Sequence, residues 1–72
     1  MRKVYKMEDL ECAHCAGLME EEIKKLDGVN KVSLNFISQK MSLDCNEDKL
    51  DDILKKAQKI CKKFEPDCTI IL

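Results

Sequence analysis

The chain has 72 residues, room for one small core and too little for a second domain or a large catalytic cleft. Its 44% hydrophobic and 38% charged residues, with two Gly and one Pro, give the balance of a chain that folds, and thirteen basic against fourteen acidic side chains, interspersed, argue against nucleic acid as a partner. The longest purely apolar run, Ile70-Ile71-Leu72, falls far short of the roughly 20 residues that cross a bilayer, and no signal-type stretch follows Met1-Arg2-Lys3, so a soluble cytoplasmic domain with no direct membrane insertion is expected.

Residues 2–8 alternate, with Val4, Lys6 and Glu8 on one side and Tyr5 and Met7 on the other, the period of a half-buried strand. Ala16, Met19, Ile23 and Leu26 then share one helical face, and Gly28 sits where a C-terminal cap belongs. Val32, Leu34 and Phe36 alternate with Ser33 and Asn35, and Met41, Leu43 and Cys45 with Ser42 and Asp44, which predicts a hairpin. Leu50, Ile53, Leu54, Ala57, Ile60, Cys61 and Phe64 return at helical spacing. That segment opens with Glu47, Asp48, Asp51 and Asp52 and closes with Lys59, Lys62 and Lys63, signs that suit the helix dipole at both ends. Pro66 stops the helix, and Cys68, Ile70 and Leu72 alternate with Thr69 and Ile71 as a last strand.

The order βαββαβ predicts an α+β fold over residues 1–72 as one domain: a ferredoxin-like sandwich whose four-stranded antiparallel sheet carries both helices on one face. Cys45, Cys61 and Cys68 fall on apolar sides of these patterns and are expected in the core. The Glu20-Glu21-Glu22 run reads as a solvated helix face.

Five cysteines is an odd number, and Cys12 and Cys15 alone fall in a recognised short spacing, which speaks against a secreted disulfide framework. A CxxC between the first strand and the first helix brings two sulfurs toward a common point. The helix N-terminus there favours thiolate, which is both the soft-metal ligand and the nucleophile. A soft-metal site is the favoured reading and a thiol-disulfide oxidoreductase the rival. Thioredoxin-like folds also place CxxC at a helix start, but with a different strand order and a proline facing the dithiol, whereas the one proline here follows the second helix.

Tyr5-Lys6-Met7-Glu8-Asp9-Leu10-Glu11-Cys12 resembles the strand and GMxCxxC loop of the heavy-metal-associated domain family, and Leu26-Asp27-Gly28-Val29 through Phe36 resembles its LxGV and VNF stretches. Asp9 stands where that family usually has Gly, and Leu10 where it has Met. The family includes copper chaperones and the N-terminal domains of metal-exporting P-type ATPases. The resemblance implies a monomeric carrier with no catalysis of its own. Such a carrier takes a metal ion on Cys12 and Cys15 and passes it by ligand exchange to the membrane-transport part of a metal ATPase, or to another metal donor or acceptor protein. Copper-type members usually have Thr before the first cysteine, whereas this chain has Glu11. A carboxylate beside two thiolates suits a divalent zinc, cadmium or lead ion better than low-coordinate Cu(I), and Phe64-Glu65-Pro66 resembles a stretch of the zinc- and cadmium-exporting ATPases. The divalent ion is therefore expected, with Glu11 as a third ligand and Cu(I) as the alternative. His14, between the cysteines, is a further candidate ligand, although relatives turn that position to solvent.

Overall fold

The structure, a computed structural model, describes residues 2–72. Apolar side chains at every second position of the strands, and at every third or fourth of the helices, can leave water together only if the helices lie across one face of a sheet. The described residues adopt that arrangement: β1 (Arg2–Glu8), α1 (Ala13–Lys24), β2 (Val29–Asn35), β3 (Lys40–Cys45), α2 (Leu50–Phe64) and β4 (Thr69–Ile71). A short 3₁₀ turn at Glu47–Lys49 leads into α2. The sheet order is β2-β3-β1-β4 with every neighbouring pair antiparallel, so the expected ferredoxin-like sandwich is the fold observed.

Register explains the core. Tyr5 lies opposite Met41, Met7 opposite Ile70, and Leu34 and Val32 opposite Met41 and Leu43, which lines one sheet face with apolar side chains. From above, Ala16, Met19 and Ile23 of α1 and Ile53, Leu54, Ala57 and Cys61 of α2 complete the interior. Full burial of a side chain such as Met19 or Ile23 contributes about 1.5–3 kcal/mol each. Cys45, Cys61 and Cys68 are all buried, as their positions in the patterns lead one to expect.

Three details depart from the sequence patterns. Phe36 is 39% exposed and lies beyond β2. There Asn35 Oδ1 accepts hydrogen bonds from the amides of Ile37 (2.9 Å) and Ser38 (3.1 Å), an Asx turn that ends the strand's alternation. Leu72 lies past the end of β4 and is exposed. Gly28 is not the cap of α1, which ends on Lys25, whose amide donates to the carbonyls of Glu22 and Ile23. Gly28 instead sits in the following turn at φ +94°, where a Cβ would meet Lys49 Cδ at 2.9 Å. The left-handed backbone favours glycine there, and the side chains of Lys49 and Ile53 would have to give way to a Cβ.

The topology also decides where a site can form. With Lys6 opposite Lys40 and Glu8 opposite Thr69, the chain leaving β1, the β2–β3 turn and the chain entering β4 all meet at one end of the sheet. At the adjoining edge, Gln58 of α2 reaches down to β4, accepting from the Ile70 amide at 2.8 Å and donating to the Ile70 carbonyl at 3.4 Å.

Candidate metal centre

Three residues, Asp9, Leu10 and Glu11, carry the chain from β1 to α1. Asp9 turns it with φ +59°, and Leu10 drops its side chain into the core, 0% exposed. Cys12 is the N-cap of α1, extended at φ −116° and ψ 115°, and its Sγ accepts a hydrogen bond from the Cys15 amide at 3.3 Å. A sulfur thus takes the place that a Ser or Asp oxygen usually fills at a helix start. Cys15 lies in the first turn of α1, and both cysteines are half-buried.

A third donor arrives from α2. Proline disfavours helical backbone in the residue before it, and Glu65, directly before Pro66, is extended at φ −136° and ψ 101°. Its amide still donates to the Cys61 carbonyl, but its side chain turns to the metal loop, where Glu65 Oε2 accepts from the Glu11 amide at 3.3 Å. The sulfurs of Cys12 and Cys15 and a carboxylate oxygen of Glu65 lie within 4.8 Å of one another, the one three-donor group of this kind among the described residues.

The two thiols are electrostatically unequal. Hydrogen bonds to its sulfur, first from the Cys15 amide, then from the Cys15 thiol and the His14 amide, pull Cys12 below the ordinary thiol value. Cys15 is pushed up to about 11, chiefly because its proton is shared with Cys12, with desolvation and the charges of Cys12 and Glu65 adding to the effect. Of the pair, Cys12 therefore gives up its proton more readily than Cys15, and a cation binding between the two sulfurs takes the place of the thiol protons.

Of the residues singled out in the sequence, Cys12 and Cys15 come together. Glu11 is exposed and outside the three-donor group; it contributes its backbone amide, which holds Glu65, and lines an acidic cleft with Asp9, Glu65 and Asp67. His14 is exposed and also outside the group. Glu65 is the donor that sequence reasoning did not assign, although the Phe64-Glu65-Pro66 stretch carried the signal.

Residues 4–64 match the heavy-metal-associated domain. The chain belongs to that family. Relatives include the zinc/cadmium/lead-transporting P-type ATPase of Escherichia coli strain K12, 32% identical over 59 residues, covering 78% of this chain and 8% of that protein. The copper transport protein ATOX1 homolog of Dictyostelium discoideum is 30% identical over 63 residues, covering 88% of each chain. Among solved structures, a CopZ metallochaperone superposes with TM-score 0.75 at 15% identity over 99% of this chain and 100% of that one, a likeness of fold. This heavy-metal-associated chain spans 5–10% of the length of the cadmium and zinc ATPases it matches. No helix among the described residues is long and apolar enough to cross a membrane.

Proposed function

We propose that this heavy-metal-associated domain, acting as one unit over residues 1–72, carries a divalent zinc, cadmium or lead ion on Cys12, Cys15 and Glu65. It delivers that ion by ligand exchange to the membrane-transport part of a P-type ATPase on the cytosolic side. The observation that carries this reading is the Glu65 carboxylate oxygen within 4.8 Å of both sulfurs. Zinc sites take four ligands of nitrogen, sulfur or oxygen, and three protein donors leave one position where an incoming ligand can attach before another leaves. Half-buried sulfurs at the molecule's surface suit such a hand-over. Relatives named as cadmium and zinc transporters are consistent with the divalent ion. The second reading, Cu(I) on the two thiolates alone, is favoured by the Dictyostelium relative named for copper transport, and it leaves Glu65 without a coordinating role.

Competition titrations with a chromophoric chelator separate the two. Glu65→Ala is expected to weaken zinc and lead binding about tenfold, equivalent to about 1.4 kcal/mol, with cadmium affected less and Cu(I) little changed. Glu11→Ala keeps the backbone amide that orients Glu65 and is expected to have the smaller effect. Equal zinc affinity in the parent and Glu65→Ala would make copper the better reading.

A further inference from the structure

We infer that Gln39, a residue of the β2–β3 turn far from the cysteines in sequence, is the positioning residue of the metal loop; the inference rests on the metal site proposed above. The loop between β1 and α1 has left the sheet, so its backbone groups need other partners. Both polar groups of Leu10 find them in one side chain: the Leu10 amide donates to Gln39 Oε1 at 2.9 Å, and Gln39 Nε2 donates to the Leu10 carbonyl. A primary amide paired this way copies the two-bond exchange between neighbouring strands. Leu10 is thus gripped twice, by its side chain in the core and by its backbone on Gln39.

Gln39 is itself held. Its carbonyl accepts from the Met7 amide at 2.8 Å, and Nε2 donates also to the Phe36 carbonyl at 2.6 Å, so the side-chain oxygen and both side-chain N–H groups have partners. The backbone at Gln39 is left-handed, φ +55°, a conformation that an ordinary residue adopts at a cost and that Gly or Asn accepts more readily. The turn therefore carries a residue unsuited to its own backbone but long enough to reach Leu10. The consequence falls on Cys12, two residues further on. Cys15 is anchored independently through the buried face of α1, whereas Cys12 joins that helix only at its cap. The spacing of the two sulfurs, and the angle at which they meet Glu65, then depends on where Leu10 is held.

Gln39→Gly and Gln39→Asn both suit the left-handed turn, and neither reaches Leu10, since Asn is one methylene short. Gln39→Glu keeps the length and the acceptor but loses the donor to the two carbonyls. For each variant and the parent, three quantities are measured: urea stability of the metal-free protein, hydrogen exchange of the Leu10 amide, and the rate at which cadmium passes to excess chelator, followed by the thiolate-to-cadmium charge-transfer band. Gln39→Gly and Gln39→Asn should retain or exceed parental stability, exchange Leu10 at least about tenfold faster, and release cadmium about tenfold faster, in the range typical of residues that orient metal ligands. Gln39→Glu should fall between them and the parent. Parental cadmium release from a folded variant with an unprotected Leu10 would overturn the positioning role, and a Leu10 still protected would overturn the clamp. A parent that takes up no cadmium would instead overturn the metal site itself, while Leu10 exchange still reads the clamp on its own.

Discussion

Cys12 with Cys15, and Cys61 with Cys68, are two pairs of thiols built alike and fated differently. In each, one thiol donates to the other sulfur: Cys15 to Cys12, and Cys61 to Cys68. At the first pair the acceptor also receives backbone amides at a helix start and both residues are half-buried, so Cys12 moves below the ordinary thiol value. At the second, both residues are 0% exposed, and burial outweighs the hydrogen bond: Cys61 is pushed up to about 12, and Cys68 is raised as well. Proximity of two sulfurs is thus common to a site and a core. What separates them is the supply of donors and water that stabilises a thiolate.

The contrast should be widest in chemical reactivity. Iodoacetamide at mildly alkaline pH is expected to modify Cys12 first and Cys61 and Cys68 on the order of a thousandfold more slowly, because reaction there waits for the core to open. Peptide mapping over time reads the order, and early labelling of Cys61 would erase the distinction. Metal affinity comes next. Cys12→Ser or Cys15→Ser should weaken cadmium binding by about a hundredfold or more, about 2.7 kcal/mol, while Cys61→Ala and Cys68→Ala stay within about twofold of the parent. Undiminished binding in either serine variant would remove the pair from the site.

The contrast also bears on stability against pH. Cys61 stays protonated in the native state up to about 12 but ionises near the ordinary thiol value when unfolded. The native state then binds more protons than the unfolded one, so stability falls as pH rises from about 9 toward 12. Urea denaturation of Cys61→Ala across that window should show a shallower fall than the parent, from a starting stability about 1 kcal/mol lower. Equal slopes would mean that Cys61 does not sit in the environment described.

The fold and the two cysteines were legible because periodicity and local spacing carry them. Met7, Met41, Leu43 and Ile53 are buried where alternation or helical spacing puts them. Glu65 was not assigned because its place depends on two things no local pattern expresses: the extended backbone that Pro66 imposes, and the meeting of three connections at one end of the sheet. Glu11, next to Cys12 in sequence, is outside the group that Cys12, Cys15 and Glu65 form in space. Cys12 is extended, and along extended backbone neighbouring side chains do not share a face, so standing next to a ligand in sequence does not bring a carboxylate to the sulfurs. Gln39 was invisible for a related reason, since its partner Leu10 lies 29 positions away and the bonds join a side chain to backbone.

The two hydrogen bonds from Gln58 to Ile70 bear on how this molecule keeps company. β4 is an edge strand of three residues, and such an edge ordinarily offers its backbone as a template on which another chain can polymerise. Its central residue already has both amide and carbonyl in use by α2. A strand from a second molecule could extend the ladder there only by breaking both bonds, so crowding many copies together does not by itself seed fibres from this edge.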